Sequence, residues 1–487
     1  MNRAGLLRNT TGKTFRPRWS KVCVIRRPAS GSTMVEDGIH PAAPPPLWTK
    51  VAFKPRWGVA MAILAAGGAI CGYSLLSSPS TPSSLGPGMD DSAFIKASER
   101  ALGRLSTHDL LASLFVYECC SRPWVVNTGI AFIKFCDNWH LSFLYAPFAR
   151  VTFFHHFCGG KTVGDVVNTV NRLKADGIRS LLAYSKEHHG EEGGLTEDDH
   201  QAAINATMEA IEIAREVPGT MVAVKLSAMV SDSQLRRYNN TLKTAARLTE
   251  DAKRDLNYHQ LSQMTAAAKE AGVPVVFDAE QTYYRHAIDA IIISLAREYN
   301  TGTGPHTVYN TYQLYLQATP SILREHVETS LREGWGLGAK LVRGAYMSIE
   351  PEGAVWPTKA TTDQAYDTAV GELIERGPGS MSVILATHNH ISILNAVQLL
   401  SYSPSSSRNR PTFAIAQLYG MSDDITYALP PKGFVVYKWI PFAKVEEAMP
   451  YLVRRAEENG GMMGGPAGEV ERRRRWAEVG RRVGLST

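Results

Sequence analysis

The spacing of apolar positions changes twice along the chain, and each change predicts a different kind of element. Residues 57–76 (WGVAMAILAAGGAICGYSLL) run uncharged for 20 positions, long enough to span a hydrocarbon core. Residues 77–90 (SSPSTPSSLGPGMD) are rich in Pro, Ser and Gly and read as a linker. From 91 to about 150 the apolar spacing is helical, as in LSTHDLLASLFVYECC (105–120) and NTGIAFIKFC (127–136). Beyond that come eight short β-branched or aromatic runs: RVTFFHHF (150–157), SLLAYS (180–185), MVAVKLS (221–227), VPVVFDAE (273–280), GAKLVRGAY (338–346), SVILATHN (382–389), TFAIAQLYG (412–420) and FVVYKWIP (434–441). Stretches such as VGDVVNTVNRLKADG and HAIDAIIISLAREY lie between them and carry a 3.6-residue period. Strands alternating with helices imply parallel βαβ units. Eight in succession predict an α/β fold, a closed (β/α)8 TIM-like barrel over 150–465. A helical arm (91–149) precedes it and a basic helix (466–487) follows, whose ERRRRWAEVGRR reads as solvated.

Charge changes the picture at the N-terminus. Residues 1–57 hold 11 Lys/Arg against 2 Asp/Glu, which leaves 41 against 44 in the remaining chain. The body is therefore mildly acidic, and a nucleic-acid enzyme, which would carry a basic stripe on its folded body, is not expected. Residues 1–35 contain no acid. The basic segment 1–56 accordingly reads as a mitochondrial transit segment, and 57–77 as a possible inner-membrane span. Six cysteines form neither a CxxC nor a regular framework, so neither a disulfide scaffold nor a metal site is expected.

Polar residues gather where the strand runs end: Lys225, Asp278, Glu280, Lys340, Arg343, Tyr346, Thr387, His388, Asn389 and Gln417. In such barrels that rim is where active sites are built. Core packing is a poor explanation, because burying unpaired charge costs several kcal/mol. Tyr451, Arg454 and Arg455 stand at i, i+3 and i+4 just after the last run, a spacing that puts them on one helix face. Two guanidinium groups there make a carboxylate clamp, and Lys225 adds a third cation. The rim reads as a site for a small anionic substrate. Two chemistries stay open on the residues alone. Lys225 is a candidate Schiff-base lysine; alternatively Lys340, Arg343, Gln313 and Thr387-His388-Asn389 hold a phosphate-bearing cofactor. No GxGxxG follows a strand run, which argues against a Rossmann domain.

Eight motifs, VKLSA (224–228), FDAE (277–280), YQLYL (312–316), KLVRGAY (340–346), TTDQAYD (361–367), ATHN (386–389), AQLYGMSDD (416–424) and PYLVRRAEEN (450–459), occur in one order over roughly 150–460. The set resembles the mitochondrial FAD-dependent proline dehydrogenases, also called proline oxidases. The resemblance implies hydride transfer from L-proline to FAD, with Δ1-pyrroline-5-carboxylate as product. It also implies ubiquinone as electron acceptor and a matrix-facing place at the inner membrane. Arg454, Arg455 and Lys225 would hold the proline carboxylate, and Tyr451, Leu418 and Trp439 would contact its ring. Asp278 and Lys340 would stand at the substrate–flavin junction as catalytic residues. Ala279, Gln313, Lys340, Val342, Arg343, Gly344, Thr387, His388 and Asn389 would line the FAD. Two places depart from the family pattern. An acid in a segment like AGE, which pairs with the arginine clamp, is replaced in CGGK by Lys161. In WIPFA, Trp439, Phe442 and Ala443 replace the family's YxPYG. Those departures leave two alternatives: a paralogue acting on hydroxyproline or another imino acid, or a flavin-binding regulatory homologue without turnover.

Overall fold

A computed structural model describes residues 97–98, 100–184, 195–242, 247–302, 305–402, 411–463 and 465–484. The expected transit segment, apolar run and linker lie outside the described residues. Among the described residues no helix is long and apolar enough to cross a membrane.

Eight parallel strands close in chain order: β1 (Arg179–Tyr184), β2 (Met221–Val224), β3 (Val275–Phe277), β4 (Val308–Gln313), β5 (Leu337–Val342), β6 (Met381–Ala386), β7 (Thr412–Leu418) and β8 (Val436–Phe442). β8 returns to β1, from Arg179 opposite Tyr437 to Tyr184 opposite Phe442. Helices α1 (Thr107–Cys120), α2 (Pro123–Asn138) and α3 (Val163–Ala175) precede the barrel. The main helices after successive strands are α4 (Glu197–Glu216), α5 (Tyr258–Glu270), α6 (Arg285–Tyr299), α7 (Thr319–Glu333), α8 (Lys359–Arg376), α9 (His390–Tyr402), α10 (Asp423–Ala428) and α11 (Val445–Met463), with α12 (Pro466–Arg482) last.

The barrel matches the expected fold, with one exchange of strands. The run 150–157 is helical: Arg150–Phe154 makes a π-helical turn that His155–Phe157 continues. A short apolar run is ambiguous between a strand and a buried helix. Here Phe154 and Phe157 go inward while Val151 is exposed. The strand that takes its place is β4, VYNTYQ, which reads too polar for a core strand, yet all six residues are buried. Its polar groups are satisfied internally: Asn310 donates to Asp289 (2.8 Å) and the Thr311 hydroxyl to the Phe277 carbonyl (2.7 Å).

Alternation along the strands separates two cores. Leu181, Ala183, Met221, Ala223, Val276, Tyr309, Ile384, Ala416 and Tyr437 fill the barrel interior. Their neighbours, among them Leu182, Val222, Phe277 and Leu341, pack outward in the core shared with the helices. Burying one such side chain stabilises by ~1.5–3 kcal/mol, so a one-residue slip, which would exchange the two faces, is strongly disfavoured. A third core joins the arm to α11, with Val116, Tyr117, Cys136, Phe157, Met449 and Tyr451 among its members. The terminal helix departs from expectation. Arg475 is fully buried and lies 4.1 Å over the Tyr117 ring, so α12 is a packed element and not a solvated one.

Candidate active site

Strand parity decides which of the predicted residues meet. Ala223 and Val276 point into the barrel, so Lys225 and Asp278, two positions further on, continue the inward series at the mouth. Leu418 follows Ala416, and Trp439 follows Tyr437, in the same way. Lys340 pairs in register with Thr311, and Val342 with Gln313. Lys225, Asp278, Gln313, Val342 and Leu418 lie at or just beyond the C-terminal ends of their strands, the catalytic face of such barrels, with Lys340 and Trp439 one inward position below.

A cavity at the mouth is lined by Tyr184, Lys225, Ala228, Asp278 and Trp439, among others. Beside it, Lys340 Nζ forms an ion pair with Asp278 Oδ1, and both side chains are largely shielded from water. Glu280 is buried next to this pair and its Oε1 accepts from the Ser227 amide (2.9 Å). Burial pushes its carboxyl above the usual range, against the opposing pull of Ser227 and Lys225. The Gln313 side chain is clamped at both ends. Its NH2 donates to the Glu280 carbonyl (2.8 Å) and its oxygen accepts from the Ala345 amide (3.4 Å).

The next arc of the rim is rich in donors. The Arg343 guanidinium donates to Asp363 (2.6 Å), Thr387 Oγ1 (2.8 Å) and Ser392 Oγ (2.8 Å), and stacks 4.5 Å over the Tyr366 ring. Burial works against the Asp363 charge, but Lys359 and Arg343 hold its carboxyl below the usual value. Thr387 Oγ1 also accepts from the Asn389 amide (3.1 Å), and Asn389 Oδ1 accepts from the Ile391 and Ser392 amides, capping α9 in the usual asparagine manner. Gly344 has φ +147°, and a Cβ there would fall 1.6 Å from the Tyr315 ring. Only glycine fits. His388 Nε2 accepts from the Leu418 amide (3.3 Å), so its Nδ1 carries the proton and donates to Ser422 Oγ (3.1 Å). Burial, helped by the charges of Lys438 and Arg455, lowers the imidazole to about 3. The Arg343 guanidinium, hydroxyl groups, a helix start and a glycine-only turn suit a phosphate-bearing ring cofactor.

The third side of the mouth is α11. Tyr451 is buried with its ring 5.7 Å from that of Trp439, and the Arg455 guanidinium carbon lies 5.6 Å from the Tyr451 ring centre. Arg454 sits half-buried beside it. Lys161, by contrast, is exposed. Its amide donates to Asp165 (3.3 Å) at the capping box that starts α3.

Sequence reasoning missed the support behind this wall. Lys438 has outward parity, opposite to Tyr437 and Trp439, and is 1 % exposed. It donates to the carbonyls of Leu418 (3.3 Å) and Met421 (2.5 Å) and pairs with Asp423 (3.0 Å). The other Asp423 oxygen meets Arg475 from α12 (3.3 Å). Burial opposes ionisation of Asp423, but Lys438 and Arg475 outweigh it and hold the carboxyl at about 2. The available signal was the lysine itself, a charge on the helix-facing side of a core strand.

A closed parallel barrel with paired charges at its C-terminal mouth and an arginine-bearing helix beside it has the layout of a barrel enzyme. Residues 166–465 match the family model described as Proline dehydrogenase. The "Probable proline dehydrogenase, mitochondrial" of Schizosaccharomyces pombe is 34% identical over 433 residues, covering 76% of this chain and 87% of that one. The "Hydroxyproline dehydrogenase" of Bos taurus is 30% identical over 412 residues, covering 75% and 89%. Proline utilization A from Bdellovibrio bacteriovorus, inactivated by N-propargylglycine, superposes with a TM-score of 0.56 at 18% identity. That likeness, over 77% of this chain and 42% of the bacterial one, concerns the fold. The chain belongs to the proline dehydrogenase family and is an oxidoreductase.

Proposed function

We propose that this chain oxidises L-proline to Δ1-pyrroline-5-carboxylate with FAD as resident cofactor, and that the electrons pass to ubiquinone at the mitochondrial inner membrane. The observation that carries the reading is the convergence on one barrel mouth of inward-facing Lys225, Asp278 and Lys340 with the aromatic and arginine side chains of α11. Relatives named as mitochondrial proline dehydrogenases support the substrate and the compartment.

In this reading Arg454 and Arg455 bind the proline carboxylate, with Lys225 as a third cation, and fix one end of the substrate. Tyr451, Trp439 and Leu418 pack against the ring and keep water from it. Proline must lose two electrons and two protons as its ring C–N bond becomes double, so the amine sheds a proton before oxidation. The paired Lys340 and Asp278 fix the charge at the reacting edge without side-chain reorganisation. Gln313, Ala279, Val342 and Lys340 would hold the flavin ring, while Arg343, Gly344, Thr387, His388 and Asn389 would hold its phosphate side. When bound, the flavin supplies a two-electron acceptor.

Arg455→Met tests the substrate end. Losing a charge-assisted hydrogen bond is worth ~1.5–3 kcal/mol, so KM for L-proline should rise roughly 10- to 100-fold. A KM within twofold of wild type contradicts the assignment. A second reading rests on the hydroxyproline dehydrogenase relative and on tryptophan at position 439. Measuring kcat/KM for L-proline and trans-4-hydroxy-L-proline side by side separates the two, the larger value naming the substrate.

A further inference from the structure

Glu350 ends a single 3-10 turn (Met347–Ile349) in the loop after β5 and is half-buried there. Its two carboxylate oxygens serve different loops. Oε1 accepts from the Tyr315 hydroxyl beyond β4 (2.8 Å). Oε2 accepts from the Thr282 hydroxyl (2.5 Å) and the Thr282 amide (3.3 Å) beyond β3. Glu350 therefore ties together the exits of three consecutive strands. The segment that carries it is itself anchored. The Gln317 amide donates to the Ala354 carbonyl (2.9 Å), and the Trp356 amide to the Tyr315 carbonyl (3.0 Å).

These contacts close a circuit around the rim. The Tyr315 ring is buried directly against Gly344, and the Tyr315 amide donates to the Arg343 carbonyl (2.8 Å). The next amide along, that of Ala345, donates to the Gln313 side chain, whose NH2 group donates to the Glu280 carbonyl. Thr282 follows Glu280 by two residues and returns the circuit to Glu350. Burial, reinforced by the Glu350 carboxylate, pushes the Tyr315 phenol well above its usual value, so the hydroxyl keeps its proton and stays a donor. Hydrogen bonds to a carboxylate are stronger than those between neutral groups. Gly344 has no side chain to hold it and tolerates many backbone conformations, so its place depends on the ring beneath it. We infer that Glu350 is a positioning residue for the flavin ring. It acts through Tyr315, fixing the ring on which the Gly344–Ala345 turn rests and so the seat of that turn against Gln313. The inference rests on the reading above in which Gly344 and Gln313 line the FAD.

The test needs no turnover. Full-length protein is titrated with FAD; flavin fluorescence gives the dissociation constant, and visible circular dichroism reports the surroundings of the bound ring. Tyr315→Phe keeps the ring under Gly344 and removes only the hydroxyl. It should weaken FAD binding about tenfold, as should Glu350→Ala, and the double variant should lose no more than either single one. At saturating FAD both single variants should show an altered flavin dichroism. Glu350→Gln, which keeps the length and one acceptor oxygen, should recover part of the affinity. A merely structural Glu350 would lower the urea midpoint yet leave the FAD constant and the dichroism at wild-type values, and that result overturns the proposal. So does a loss of about a hundredfold in the double variant, which would make the two side chains independent. Wild-type protein that takes up no FAD would overturn the function proposed above as well, so the two failures are distinguishable.

Discussion

His388 is held as a neutral imidazole by its two partners, the Leu418 amide and the Ser422 hydroxyl. Its folded value of about 3 lies below the unfolded 6.5. The stability it contributes is therefore complete above pH 6.5 and is lost as pH falls toward 3. His388→Asn should cost most near pH 7.5 and progressively less toward pH 4, when urea unfolding is compared with wild type at each pH. A cost that does not change over that range contradicts the neutral imidazole. Much of the site at this scale was legible from the sequence. Lys225, Asp278 and Lys340 were visible because charged residues stood at strand ends, whereas Trp439 was singled out only by the family resemblance. Lys161 was not, because nothing in a Gly-Gly-Lys segment tells whether the side chain turns inward; here it is exposed at the start of α3.

At the scale of elements, the charged groups behind β7 and β8 bind α12 to the barrel. Lys438, Asp423, Arg475 and Glu471 form a buried chain, with Arg474 paired to the fully buried Asp424. Removing one partner leaves uncompensated buried charge, so Arg475→Met should destabilise the fold by about 3–5 kcal/mol in denaturant titrations. A loss below 1 kcal/mol would mean that α12 is not anchored this way. The solvated reading of ERRRRWAEVGRR failed because four consecutive arginines look alike in sequence, whereas a helix turns successive side chains to different sides. A similar limit explains the strands. β4 carries Asn310, Thr311 and Gln313, whose partners Asp289, Phe277 and Glu280 are distant in sequence. The run 150–157 was apolar enough for either structure, and its packing into the arm decided for helix.

For the whole molecule, the barrel supplies the rim and the arm completes it. Asp109 of α1 meets His155 (3.0 Å) and Arg172 of α3 (3.4 Å), and Arg172 donates to Tyr419 (2.6 Å) beyond β7. The shared core then carries α11, with Tyr451 and Arg455, to the mouth. Seven of the eight strands were legible, and the count still reached a barrel's eight because the run 150–157, read as a strand, offset the unread β4. How α1 and α2 would pack was not legible, because both are apolar over more than one face. The most direct measurement is anaerobic. Full-length protein loaded with FAD is titrated with L-proline while the oxidised flavin band is followed. The account predicts bleaching with L-proline or its hydroxylated analogue, and for Arg455→Met a need for roughly 10- to 100-fold more L-proline to reach the same rate of bleaching. A retained flavin that no cyclic amino acid reduces would contradict it.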